Sequence, residues 1–342
     1  MQRLNAMLAP PKIEKLARRP RMIIQGHRGF GGEVIENTVQ AFEAAAKSNL
    51  DSIETDVFLT KDDVMVVCHG DFEFGVAHLR PLGSPPETPY EMMCIGLMTA
   101  EQLSHFGYRS SNGERIPLVT DLLRIFKGTN KVMNMEIKEF DPRIAPMLID
   151  AFHKEGMLHQ LFLSSFYFYH RVYASEHTQK LGLPEVPFGF LTYSVFDALS
   201  EPLKNLIKKG DQVTFSHYAM RRYLQAIPQV KEYLTSRGVG FNIWFDGTKS
   251  EDMETFENFR FLHDLGIHTI ITNCPTLALA HNYAIETEKF SQGNGVPTHP
   301  SDNANPYYAG LTNKDPAQVV QTQAPPIDHP PTNAPKSNIP SN

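Results

Sequence analysis

The chain has 342 residues, a hydrophobic fraction of 41% and a formal net charge of −6, which allows a sizeable core in one large domain or two small ones. The acidic balance and the lack of an arginine-rich patch exclude a general nucleic-acid binder, and no run of about 18 apolar residues is present to span a membrane. Cys68, Cys94 and Cys274 lie far apart with no CxxC spacing, which argues against a disulfide framework or a zinc site and suits a reducing, cytoplasmic setting.

Residues 1–21 carry Arg3, Lys12, Lys15, Arg18, Arg19 and Arg21 without an apolar h-region. They read as a basic, disordered extension, with peripheral contact to an anionic membrane surface as the other reading. An apolar run, Met22 to Ile24, leads into His27, Arg28 and Gly29. A helix follows at 38–48, capped by Asn37 or Thr38, with Gln40 placed for a capping box with Asn37 and with Phe42 on the buried stripe. The next run, 51–59, holds Glu54 and Asp56, and side chains at i and i+2 of a strand share one face. The polar turn Thr60–Asp63 is too short for a parallel crossover, so it predicts a hairpin with 64–70 that brings His69 roughly opposite the two carboxylates.

From 71 to 112 no period persists, and Pro81, Pro85, Pro86 and Pro89 punctuate the segment. A loop of this length inside a domain is usually a lid or a small cap. Its Met92, Met93, Ile95, Leu97 and Met98 either pack on the domain, the favoured reading, or line an entrance for an apolar group. A loop and helix at 116–127 precede the strand 132–137, which carries Glu136 and Lys138 to one face. Strand-like runs recur at 161–165, 186–191, 212–216, 239–245 and 268–272, separated by helical stretches such as 219–237 and 251–265. Of nine strand candidates one belongs to the hairpin, and eight alternating with helices make an α/β (βα)8 TIM barrel over residues 22–285. Every candidate site residue falls at a strand end or just beyond it, on the rim where such barrels house chemistry. Residues 286–342 are proline-rich and poor in large apolar side chains, which predicts a disordered tail; Pro325-Pro326 and Pro330-Pro331 there are candidate extended ligands for aromatic grooves.

Two histidines, an arginine and two carboxylates thus converge from one stretch. The ordered segments His27-Arg28-Gly29, Glu36-Asn37-Thr38, Glu54-Thr55-Asp56, Thr60-Lys61-Asp62 and His69 resemble the opening pattern of the glycerophosphodiester phosphodiesterase family. Gly113–Pro117, Glu136 with Lys138, Ser164-Ser165-Phe166, Trp244 and Thr272–Pro275 resemble its later motifs. The chain departs from the pattern at Ile35 (proline in the family), Asp63 (glycine), Gly70 (aspartate) and Asn273 (aspartate), and after Trp244. The departures at Asn273 and after Trp244 bear on the rim or the alcohol pocket, hence on substrate choice.

The resemblance implies a TIM-barrel hydrolase that splits small-molecule glycerophosphodiesters into an alcohol and glycerol 3-phosphate. Such hydrolysis needs a cation on the phosphate and proton transfer at both ends. Glu54, Asp56 and Glu136, with no thiolate among them, suit a hard divalent ion, Mg²⁺ or Ca²⁺. His27 and His69 are the catalytic pair, His27 as base and His69 as acid or the reverse. Arg28 and Lys138 would hold the non-bridging oxygens, and Glu36 and Trp244 complete the substrate-binding set. The alternative is a lysophospholipase D-like enzyme on lipid phosphodiesters, favoured by the 92–98 cluster and the basic N-terminus.

Overall fold

The computed structural model describes residues 21–70, 75–245 and 254–291. Residues 1–20 of the expected extension and residues 292–342 of the expected tail lie outside these residues. Eight parallel strands close on themselves: β1 (Ile23–Gly26), β2 (Ser52–Leu59), β8 (Val132–Ile137), β9 (Leu161–Ser165), β10 (Phe188–Thr192), β11 (Gln212–Ser216), β12 (Gly240–Trp244) and β13 (Thr269–Thr272), with β1 pairing both β13 and β2. Both faces of such a strand are covered, which is why runs such as IIQG, VMNMEI and TIIT are almost wholly buried.

The hairpin forms as expected: β3 (Met65–Val67) runs antiparallel to β2, with Val57 opposite Val67 and Leu59 opposite Met65. Asp63, where the family pattern has glycine, takes a left-handed φ of 60°, a conformation that aspartate tolerates better than most residues. Its carboxylate is gripped by both Nη atoms of Arg143 at 3.0 and 2.9 Å.

The helices between strands carry their apolar stripes inward. In the helix Val39–Lys47, Ala41, Phe42 and Ala45 are buried, and Thr38 is the N-cap, accepting from Ala41 N at 3.1 Å. Thr38 therefore fills the role left open between it and Asn37, and the Asn37–Gln40 capping box does not form, because Asn37 is turned toward β2. The stretch expected as one helix over 219–237 is two, His217–Arg222 and Ile227–Ser236, with Pro228 in the first turn of the second, where its missing N–H costs nothing. The last helix, Pro275–Ser291, runs past the boundary expected at residue 285. Arg21, expected in the extension, is tied to the barrel by Asp51 at 2.8 and 2.5 Å.

Residues 71–112, in which no period is legible and which read as a lid or a small cap, carry regular structure. From residue 75 the chain forms a four-stranded antiparallel sheet ordered β5 (Glu91–Cys94), β4 (Val76–Pro81), β6 (Phe106–Tyr108), β7 (Glu114–Arg115), with the short helix Ala100–Leu103 between β5 and β6. Its apolar side, including Ala77, Leu79, Ile95, Met98, Leu103 and Tyr108, packs on Phe58, Val66 and Cys68 of the hairpin. Met92 and Leu97 stay exposed at 61% and 74%.

Candidate active site

Parity along the strands assembles the site. On each parallel strand alternate residues point into the barrel, and the last of them, with the next one or two beyond the strand end, reach the upper mouth. This places His27 after β1, Glu54 and Asp56 on β2, Glu136 on β8 with Lys138 after it, Ser164 on β9 with Phe166 after it, Leu191 on β10 with Tyr193 after it, Trp244 on β12 and Ile271 on β13 around one cavity of about 220 Å³, together with Arg28, His69, Asn134 and Phe245. Deeper in the barrel the same parity gives a polar layer, where Gln25 donates to Ser52 and accepts from Asn134 at 3.0 and 2.9 Å.

Of the nine side chains singled out from the sequence, eight line this cavity. Glu36 lies behind it, accepting from Arg28 Nη1 with both oxygens at 2.7 and 2.8 Å. Arg28 itself has a left-handed φ of 52°, a costly conformation for a long side chain of order 1 kcal/mol or more. That twist turns its backbone N–H onto Glu54 Oε2 at 3.1 Å and sets its Nε 3.4 Å from Asp56.

Glu54, Asp56 and Glu136 are all buried, and each offers an oxygen within 4.8 Å of the others. Lys138 bridges Asp56, at 3.2 Å, and Glu136. Burial first, then the negative charges of Asp56 and Glu136, drive the Glu54 pKa well up, while Asp56, although also buried, is held down by Lys138, His69 and Arg28. Glu54 Oε1 is buried and has no hydrogen-bond donor among the described residues. An acceptor left without a partner beside two further carboxylates fits a bound cation, and this oxygen-only triad can hold a divalent metal.

His27 is 8% exposed, with Nε2 3.7 Å from Glu54 Oε2. Burial, then the charge of Arg28, lowers its pKa to about 3, so the ring is neutral. His69 is carried in by the hairpin, where Cys68 N donates to the Asp56 carbonyl at 3.2 Å. Tyr108 of the inserted sheet donates its hydroxyl to the His69 carbonyl, so the insertion braces the hairpin that carries His69. None of Met92, Met93, Ile95, Leu97 and Met98 lines the cavity, and packing is the reading that stands for Ile95 and Met98.

Sequence reading missed four contributors. Asn37 donates to Asp56 Oδ2 at 3.2 Å and accepts from Thr55 at 2.8 Å, fixing the carboxylate. Asn273, expected to shape the rim or the alcohol pocket, lies on His27, Oδ1 to Nδ1 at 2.7 Å. The parallel pairing of Gly26 with Thr272 leaves His27 and Asn273 side by side, and Gly32, with φ 81°, lets the first loop cross Asn273 where any Cβ would strike its carbonyl oxygen at 1.9 Å. Phe166 and Tyr193 complete an aromatic wall with Trp244: Phe166 stacks on Tyr193 at 5.2 Å, and Trp244 meets them edge-on at 5.8 and 5.4 Å. The departure at Asn273 was visible in the sequence; Tyr193 follows β10 with the inward parity, the one signal available for it.

A barrel with a carboxylate triad, two histidines and two cations on its rim is the architecture of a phosphodiester hydrolase. The chain belongs to the glycerophosphoryl diester phosphodiesterase family, whose model matches residues 27–277. It is 32% identical over 193 residues to a glycerophosphodiester phosphodiesterase of Bacillus altitudinis, covering 55% of this chain and 73% of that one. It is 47% identical over 119 residues to the human lysophospholipase D GDPD1, covering 33% of this chain and 35% of that one. An Oleispira antarctica phosphodiesterase solved with the product sn-glycerol-3-phosphate shares the fold, with a TM-score of 0.54 and 17% identity over 76% of this chain and 96% of that one. The protein is an enzyme of this family and hydrolyses glycerophosphodiesters to an alcohol and glycerol 3-phosphate. No described helix is long and apolar enough to cross a membrane.

Proposed function

We propose that Glu54, Asp56 and Glu136 hold Mg²⁺ or Ca²⁺ and that His27 and His69 move the protons of the hydrolysis. The observation that carries this reading is the buried triad, with Glu54 Oε1 lacking a donor, in the cavity that both histidines line. When bound, a hard divalent ion supplies Lewis-acid charge to the phosphate. Lys138 and the Nε side of Arg28 face the same space and take the non-bridging oxygens, while Glu36 keeps the arginine in place.

His27 Nε2 accepts the proton of the attacking hydroxyl, the glycerol 2-hydroxyl or a water, as the new P–O bond forms. His69 gives a proton to the alcohol oxygen as the old P–O bond breaks. If the glycerol hydroxyl attacks, the cyclic ester is opened by water with the two histidines in exchanged roles, which returns both to their starting state and yields glycerol 3-phosphate. The aromatic wall of Phe166, Tyr193 and Trp244 faces the leaving alcohol.

The human relative's name favours a second reading, lysophospholipid substrates with an acyl chain. Against it, the apolar cluster of the insertion stays out of the cavity wall. Side-by-side release of glycerol 3-phosphate or its acylated counterpart from glycerophosphocholine, glycerophosphoethanolamine and a lysophospholipid decides between them. A deacylated substrate turned over faster by kcat/KM is expected; a lysophospholipid preferred tenfold, about 1.4 kcal/mol of transition-state discrimination, would favour the second reading.

A further inference from the structure

We propose that Asn273 and Glu254 act together as a tautomer lock on His27, holding its proton on Nδ1 so that Nε2 presents a lone pair to the cavity. The inference deepens the reading of His27 as a base and rests on it. An imidazole can accept a proton only at the nitrogen that lacks one, and the partner of the other nitrogen decides which that is. The partner here is an amide, which could turn either its oxygen or its NH₂ toward the ring.

Glu254 removes that freedom. The residue is 3% exposed, and its carboxylate accepts from Thr272 Oγ1, from Asn273 N at 3.0 Å, from Asn273 Nδ2 at 2.9 Å and from Cys274 N at 3.1 Å. The backbone N–H groups can only donate, so the carboxylate is the acceptor of the cluster and the Asn273 NH₂ must face it. Oδ1 is left pointing at His27 Nδ1, 2.7 Å away, and an amide oxygen only accepts. The ring nitrogen facing it must carry the hydrogen. Nε2, on the Glu54 side of the ring, then has the lone pair. The family pattern's aspartate at 273 would need no such backing, since a carboxylate accepts by itself; with asparagine the acceptor-only group is displaced one residue outward, to Glu254. Asn273 and Glu254 touch neither the phosphate nor the leaving group in this scheme and are positioning residues.

The test reads the tautomer directly. In full-length, ¹⁵N-histidine-labelled protein supplied with Mg²⁺ at about pH 7.5, where an unperturbed histidine is mostly neutral, long-range ¹H–¹⁵N spectra distinguish Nδ1–H from Nε2–H rings, and His27→Gln identifies the His27 signals by their loss. The expected result is the Nδ1–H form in the native protein and its loss in Asn273→Leu. A native ring in the Nε2–H form, or Asn273→Leu unchanged, overturns the proposal whatever the activity, whereas an Nδ1–H ring in an enzyme indifferent to His27→Gln would overturn only the base assignment. A swap supplies the second readout. Glu254→Gln alone permits the amide of Asn273 to turn over, and Asn273→Asp alone sets two carboxylates against each other; each should lower kcat about tenfold or more with little change in KM. The double variant Glu254→Gln with Asn273→Asp restores complementarity, because the amide introduced at position 254 donates to the carboxylate introduced at position 273, which in turn accepts from His27. It should regain kcat to within about threefold of native. A double variant that is folded by its melting temperature yet no better than the singles contradicts the lock.

Discussion

The two halves of the cavity differ in chemistry and in origin. The half from β1, β2, β8 and the hairpin is charged and densely bonded: every carboxylate there has a named cation, amide or backbone partner, and Arg28 is held in a strained backbone conformation to reach them. The half from β9, β10 and β12 is a wall of rings, with Tyr193 65% exposed. On the proposed reading the first half takes what every substrate of the family shares, the phosphodiester, and the second takes what varies, the alcohol. That reading assigns reaction to the bonded polar cluster and selectivity to the aromatic wall.

The largest effect should come from the triad. Glu54→Gln keeps the shape of the side chain and removes its charge, so kcat should fall about 10³-fold or more, several kcal/mol of lost cation-assisted stabilisation, for every substrate alike. Loss confined to one alcohol, measured across glycerophosphocholine and glycerophosphoethanolamine, would break the division of labour. Next come the histidines: His27→Ala and His69→Ala should each cost about 10²–10⁴-fold in rate with the melting temperature retained. A His69→Ala enzyme at near-native rate would mean that the hairpin serves the fold alone.

On the aromatic side, Trp244→Ala should lower kcat/KM by about tenfold, roughly 1.4 kcal/mol of lost ring contact, and unequally among alcohols. An equal loss for all of them would assign Trp244 to the phosphodiester side.

A further prediction concerns stability and not rate, at the residues that support the wall. The His217 ring is buried and lies 4.8 Å from that of Phe245, and Arg221 Nε donates to its Nε2 at 3.5 Å. Burial, then the Arg221 charge, lowers its pKa to about 4. The folded state keeps this ring neutral below the pH at which the unfolded chain protonates it. Its contribution is therefore complete above pH ~6.5, is lost as pH falls toward about 4, and is level below that, about 3 kcal/mol in all. His170 and His268 are shifted the same way, so the reading is a difference: His217→Phe should be less steeply destabilised between pH 6.5 and 4 in denaturant titrations, and an identical slope would remove His217 from the explanation.

The charged half was legible in the sequence because its residues are local. His27 to His69 lie on one strand–helix–strand–hairpin unit, and period-2 spacing alone aligns Glu54 with Asp56 and Glu136 with Lys138. The eight barrel strands were legible for a related reason, as buried apolar runs between helical stretches. What escaped reading depends on distant contacts. Asn273 reaches His27 only through the closure of β13 on β1, and Tyr108 reaches His69 only because the inserted sheet folds back on the hairpin. That sheet was itself hidden, since its strands are six residues or fewer, interrupted by proline turns and buried on one side. Asn37 looked like a helix cap because asparagine suits that position, and the neighbouring Thr38 took the role instead.

The proposed division between the halves rests first on the cation that Glu54, Asp56 and Glu136 can hold. Its most direct measurement is turnover of glycerophosphocholine after exhaustive chelation, followed by addition of Mg²⁺ or Ca²⁺, with calorimetric titration of either ion into the stripped protein and into Glu54→Gln. Activity that disappears on chelation and returns with one of these ions, with binding to the native triad and none to the variant, is the expected result. Full turnover in the metal-free enzyme, or equal ion binding by Glu54→Gln, would contradict it.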